Sequence, residues 1–321
     1  MSEASSAQIA GRRTKPRGAG LAAIFEWLCF AAATALLAAL GGLLTSLVIG
    51  GWPALKRYGL GFLFTTTWNP VTDVYGAAGP IIGTLITAAV ALLLALPVAA
   101  GVAFFLTELC PARLRTPIGT AVELLAGIPS IVYGMWGLFV FAPAFAKYVQ
   151  IPLMTSAPAG SLMETLVTGV PNGSGILSAS IILAIMILPF MASTLRELLL
   201  SVPPTLRESA YGVGATTAEV VMSVTLPYVR AGAIGAVMLG LGRALGETMA
   251  VTFIIGNSHA FPKSLFDSGS TIASTIANEF TEASSPVHSA ALIALGLVLF
   301  VITFTVLALA RLLLRRQEVH Q

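Results

Sequence analysis

Two opposite charges, Arg243 and Glu247, stand four residues apart in an otherwise apolar run from Ala231 to Ile255. A charge at the centre of a membrane span costs about 2.5–3.5 kcal/mol on insertion scales, so such groups face protein or water. Arginine presents a planar fork that fits the oxygens of an anion. A carboxylate one helical turn away on the same face can neutralise or orient it. Two uses stand open: a station on an anion path, where Glu247 holds Arg243 at rest, and a structural ion pair that joins helices. At about 1.5 Å per residue, Arg243 falls roughly 18 Å along a helix begun at Ala231, near the bilayer midplane, with Glu247 one turn further out. Gly242 and Gly246, also four apart, would let a neighbouring helix approach closely. A weaker candidate is Ser130, at the end of Gly127-Ile128-Pro129-Ser130 in the third apolar run. A proline there frees backbone groups, and a packing bend is favoured over a kink that lines a path.

Other reactive constellations are missing. The chain has two cysteines, Cys29 and Cys110, and three widely separated histidines, His259, His288 and His320. That excludes a disulfide framework and a Cys/His metal cluster. The cysteines read as small buried hydrophobes, the histidines as incidental surface residues. Glu26 and Glu123 fall near span ends, where interfacial placement accounts for them. No Gly-x-x-x-x-Gly-Lys-Ser/Thr run occurs, so the chain carries no phosphate cradle of that type and is not itself an ATPase. With no catalytic triad or paired carboxylates in the outer loops either, the chain reads as a non-enzyme that binds no metal and no cofactor of its own.

The elements that must position Arg243 follow from composition. Of 321 residues, 56% are hydrophobic and only 10% charged, with a mean hydropathy of +0.90. Soluble domains carry about 25% charged residues, so this is an integral membrane protein. Uncharged runs long enough to span the bilayer cover Leu28–Ile49, Ala77–Thr107, Leu124–Ala146 and Thr165–Leu195, the last starting its helix near Ile176 after Pro171-Asn172-Gly173-Ser174-Gly175. Ala231–Ile255 and Ala283–Ala310 complete six. The expected fold is all-α and polytopic, without the period-2 alternation of a β-barrel. Its expected parts are a disordered basic tail (1–20), a six-helix transmembrane domain (21–314) with a loop at about 196–230, and a short tail (315–321).

Six spans put both termini on one side. That side holds Arg12, Arg13, Lys15, Arg17, Arg113, Arg115, Arg196, Arg207, Arg230, Arg311, Arg315 and Arg316, against Lys56, Arg57, Lys147 and Lys263 opposite. Twelve against four makes the first side cytoplasmic. The basic residues are thereby accounted for by topology, and nucleic acid is not an expected partner. The first span exceeds the 7–15 apolar residues of a signal peptide's core and reads as a retained anchor. Trp52, Tyr58, Trp68 and Tyr75, in or beside the first outer loop, suit the membrane interface.

The cytoplasmic loop from about Arg196 to Arg230 reads as two short helices joined at Gly212 and Gly214, with Pro203-Pro204 as a break. Its apolar residues Leu206, Ala210, Val213, Val220, Val221, Val224 and Leu226 need a partner surface or the bilayer to cover them. Within it, Glu208-Ser209-Ala210, Gly214, Val224, Leu226 and Pro227 match in spacing the EAA motif of ABC importer permeases, Ser209 and Val224 being mild departures. The run Leu239-Gly240-Leu241-Gly242-Arg243-Ala244-Leu245-Gly246-Glu247-Thr248-Met249-Ala250-Val251, continued by Ile255-Gly256-Asn257, resembles phosphate-specific permeases of the PstC type. So do Glu123 to Ser130 and Trp68-Asn69-Pro70. The likeness extends from about residue 20 to residue 314.

The resemblance implies a type I ABC importer permease in the bacterial cytoplasmic (inner) membrane. It implies a homologous PstA-type permease, a PstB-type ATPase dimer that uses ATP and Mg, and a PstS-type phosphate-binding protein. Glu208, Ser209, Ala210, Gly214, Val224, Leu226 and Pro227 would then belong to the segment that seats in the ATPase. Rival expectations are a PstA-like subunit, a permease for molybdate or sulfate, and a membrane sensor or scaffold without transport activity.

Overall fold

The computed structural model describes residues 19–158 and 160–318. The expectations for the two tails, with Arg12, Arg13, Lys15, Arg17 and His320, lie outside the described residues, as do the side chains of Arg315 and Arg316. Six helices are long and apolar enough to cross a membrane: Ile24–Tyr58, Ala78–Leu109, Ser130–Ser156, Ile176–Leu200, Thr217–Leu245 and Pro286–Leu312. Among the described residues there is no strand, only isolated bridges at Asn69–Val74 and Gly256–Gly269.

The chain divides into two compact units, the first ending at Ile49 and the second running from Gly50. In the first, residues 24–49 form one apolar helix, almost all of it exposed. In the second, the continuation of that helix lies against the last span: a Cβ on Gly51 would sit 3.0 Å from the Ala294 Cα.

The centre of the second unit is the pairing of the second and fourth spans. Ala88, Ala91, Ala95, Ala99 and Ala103 repeat at helical spacing on the second span, all buried. Against this stripe of small residues pack Ile182, Leu183, Ile187 and Met191 of the fourth. In a bilayer, apolar burial from lipid yields little, so close backbone approach and van der Waals packing carry the association. The fifth span joins the same core through Ala236 and Gly240, where a Cβ would lie 2.8 Å from the Met191 sulfur.

Two spans depart from the sequence expectation in how they are interrupted. The third begins at Ser130, not Leu124, because Gly127–Pro129 ends a separate helix, Ala112–Ala126, and Pro129 caps the next. The feature is a complete break, not a bend. The fifth starts earlier and stops earlier: Thr217–Val220, a π-helical turn Val221–Thr225 and Leu226–Leu245 run on as one rod that ends at Gly246. A short helix, Met249–Thr252, follows the interruption. The fourth span starts at Ile176, as its Pro/Gly-rich approach indicates. Its first free N–H groups are satisfied by the outer loop, with Ile176 N donating to Asp267 O at 3.1 Å and Leu177 N to Leu265 O at 2.9 Å.

Candidate functional site

Arg243 occupies the last turn of the fifth span's helix. Its guanidinium lies over the Phe190 ring, 5.6 Å from the centroid, and Phe190 is near the middle of the fourth span. The charge therefore sits well inside the apolar zone. It lines a cavity of about 1000 Å³ with Thr194, Met238, Phe304, Leu307 and Arg311. Among the described residues, no carboxylate lies within ion-pair distance of it.

Glu247 is not where a continuous helix would put it. The helix ends at Leu245, and Glu247 turns to the next segment, where its Oε1 accepts from Ala250 N at 3.3 Å. The expected one-turn pairing with Arg243 is thus replaced by a helix-start contact. The helix ends between the two residues, and no ion pair joins them. Gly242 and Gly246 likewise serve no close crossing among the described residues: the nearest atoms to an added Cβ are 3.8 Å and 3.6 Å away. Gly246 instead caps the helix, and the close approaches fall at Gly240 and Gly232.

Ser130 is the first residue of the third span, whose start has no side-chain cap. In its first turn Val132 N donates to Pro129 O at 3.0 Å. Gly134, one turn on, packs on the short helix after the Glu247 break: a Cβ there would be 3.0 Å from the Met249 oxygen and 3.1 Å from the Ala250 Cα. The third span is thus in contact with the segment that follows the fifth span's interruption. Irregular backbone at membrane depth is tolerated where it is buried in protein or lines a water-filled cavity.

The loop between spans four and five forms one short helix, Pro204–Gly212, and the second helix expected there, from Thr217, is the start of the fifth span's rod. Gly214 joins them at φ +89°, a conformation that favours glycine. Thr216 and Glu219 form a reciprocal capping box on the second. Glu208 and Ser209 are exposed and Ala210 is half-buried; Val224 and Leu226 are half-buried in the rod that follows, with Pro227 exposed. Leu206, Tyr211 and Val213 are large apolar side chains left uncovered, Val213 at 86% exposure.

A second polar centre, absent from the sequence expectation, lies at the opposite end of the spans. Glu279 accepts from the Trp68 indole at 2.7 Å and meets His259 Nε2 at 2.6 Å and His288 Nε2 at 2.8 Å. His288 is buried and His259 half-buried, so neither is an incidental surface residue. Trp68 and Tyr75 are buried in the same cluster, Trp68 stacked on His259 and Tyr75 on His288, and so do not serve as interfacial anchors. Burial alone would raise the Glu279 pKa. The hydrogen bonds from His259, Trp68 and His288 outweigh it and hold the carboxyl below its ordinary value. Burial pushes the Tyr75 phenol up to about 12. No spacing signal marks this cluster, since its members come from three segments remote in sequence. Glu123, expected at an interface, pairs with Arg196 at 2.8 Å. Both cysteines are free, Cys110 buried and Cys29 exposed, so only Cys110 is the buried hydrophobe expected. No group of metal-ligating side chains occurs among the described residues.

Residues 99–319 match the family of binding-protein-dependent transport system inner membrane components. A phosphate transport system permease protein PstC of Mesorhizobium japonicum is 55% identical over 295 residues, covering 92% of this chain and 90% of that protein. The PstC of Haemophilus influenzae is 54% identical over 279 residues, 87% of this chain and 88% of its own length. PstC 1 of Mycobacterium tuberculosis is 40% identical over 289 residues, 84% of this chain and 86% of its own. In structure, a chain of the inward-facing MetNI methionine ABC transporter aligns with 75% of this chain and 94% of its own at a TM-score of 0.50 and 18% identity, which speaks to the fold alone. An interrupted membrane bundle, a loop of EAA spacing and these relatives together make the chain a member of the binding-protein-dependent ABC importer permeases, of the PstC type.

Proposed function

We propose that this chain is a membrane permease subunit of an ATP-driven importer for inorganic phosphate, with Arg243 on the anion's path. The observation that carries the reading is an arginine at mid-span depth, without a carboxylate partner among the described residues, facing a cavity beside a broken helix. An uncompensated charge is expensive there unless water or a transported anion meets it. The guanidinium fork supplies the donors that phosphate oxygens need. The PstC relatives support phosphate over other oxyanions.

Because no reactive constellation accompanies Arg243, the chain moves its substrate without covalent chemistry, and ATP and Mg belong to a partner chain. In this reading the loop carrying Glu208, Ser209, Ala210, Gly214, Val224, Leu226 and Pro227 seats in a PstB-type ATPase dimer through its uncovered Leu206, Tyr211 and Val213. A PstA-type permease supplies the other half of the path, and a PstS-type protein delivers phosphate to the end that carries the Glu279 cluster. The basic end, with both termini, faces the cytoplasm of a bacterial inner membrane. Ser130 lies on the same route through the uncapped start of the third span.

The test is uptake of labelled phosphate into proteoliposomes holding the whole complex, its binding protein and ATP, with molybdate and sulfate as competitors. Arg243→Gln is expected to abolish uptake while the complex still assembles. Uptake by that variant at the wild-type rate would remove Arg243 from the path, and loss of assembly would make its role structural.

A further inference from the structure

The helix Pro204–Gly212 has no buried residue. Its first turn carries one exception to full exposure that points into the membrane domain: Arg207, whose side chain is 18% exposed. Its Nη1 pairs with Glu108 Oε1 at 2.9 Å, and the Glu108 side chain is 10% exposed. Its Nη2 donates to the carbonyl oxygen of Leu199. Glu108 lies in the π-helical turn Phe105–Leu109 that ends the second span, and Leu199 lies in the last turn of the fourth. One guanidinium therefore holds the loop helix to the ends of the two spans that form the alanine-striped core.

The loop helix also packs on Thr217–Thr225 at the start of the fifth span's rod, and Arg207 adds the link to the second and fourth spans. The loop helix is entered through Ser201–Pro203 and left through the Val213–Thr216 turn, and neither is helical. A push on the exposed face of a helix so tethered would be absorbed by those segments unless a stiff contact bypassed them. Arginine suits that contact because its planar fork can meet a carboxylate and a carbonyl at once. Adjacent helical positions lie about 100° apart, so Arg207 can face inward while Glu208 faces outward.

We infer that Arg207 and Glu108 are positioning residues that transmit displacement of the loop helix to the second and fourth spans. The inference rests on the reading that this loop seats on an ATPase. It predicts that the pair governs how much phosphate moves per ATP, beyond any effect on folding.

The experiment measures phosphate uptake and ATP hydrolysis in the same proteoliposomes carrying the whole complex with binding protein. Arg207→Gln is expected to lower phosphate moved per ATP about tenfold, since it strands a buried carboxylate. The exchange Glu108→Arg with Arg207→Glu is expected to recover at least about half of the wild-type ratio, because it restores the pair although not the Leu199 bond. Should Arg207→Gln fail to assemble, Arg207→Lys is read instead, with an intermediate ratio expected. A wild-type ratio in either single variant, or a lowered ratio that the exchange leaves unimproved, overturns the inference alone. A wild-type complex that hydrolyses ATP without moving phosphate overturns the importer reading and the inference with it.

Discussion

Arg243 and Glu247 illustrate how far residue identity carries an argument before geometry is known. Their presence in an apolar run identifies a costly feature, and cost implies a use. Whether they pair depends on three backbone residues between Leu245 and Met249 that leave the helix. Since the pair is absent, exchanging the charges (Arg243→Glu with Glu247→Arg) should not restore uptake lost in Arg243→Gln; transport by the exchanged variant would argue for a structural pair. Glu279 makes a separate prediction at this scale. Its carboxyl is held below the ordinary value, so its contribution to stability is fully present above the unfolded-state pKa and is lost as pH falls through the folded one. Glu279→Gln should cost about 1–3 kcal/mol at neutral pH, from the loss of charge-assisted hydrogen bonds. Thermal unfolding in detergent should show a lowered Tm at pH 7, and the difference from wild type should shrink below about pH 4. A deficit that persists undiminished into acid would mean the hydrogen bonds, not the charge, carry the stabilisation.

Among the elements, the interrupted spans and the loop helix matter most. The contact of Gly134 with Met249 and Ala250 is a place where backbone meets backbone, so an added side chain cannot be absorbed by a rotamer change. Gly134→Leu should destabilise by about 1–3 kcal/mol through overpacking, whereas Gly242→Ala, with room around it, should leave the Tm unchanged. Equal effects at both positions would contradict the packing described. In the loop, Glu208 is exposed and makes no ion pair among the described residues. Glu208→Lys should therefore leave insertion intact and uncouple ATP turnover from uptake, measured as phosphate moved per ATP. Normal coupled uptake would separate this loop from the ATPase.

For the molecule as a whole, the asymmetry of basic residues and the six spans make one topological prediction. Val71 and Val213 are among its most exposed apolar residues, at 93% and 86%, and they belong to opposite ends of the spans. With Cys29 and Cys110 replaced by alanine, Val71→Cys should react in intact cells with a thiol reagent that cannot cross the membrane. Val213→Cys should react only after the cells are opened. The reverse pattern would invert the orientation, and labelling of both in intact cells would contradict the span count.

The membrane class, the six spans and the start of the fourth were legible in Leu28–Ile49 and its counterparts, because transfer of an apolar helix into lipid depends on composition and length alone. The loop's first helix and the turn at Gly214 were legible for a similar reason: Pro203-Pro204 and Gly214 act on their own backbone, whatever surrounds them, whereas the second helix runs on unbroken into the fifth span. Three features belong to the tertiary structure alone. The helix end at Gly246 has no strong breaker beside it, since glycine is tolerated inside membrane helices. Glu279 gathers Trp68, His259 and His288 from distant segments, and Arg207 finds Glu108 on another span. Such contacts exist only once the alanine stripe has set how closely the second and fourth spans approach, and no local preference of any one residue encodes that distance.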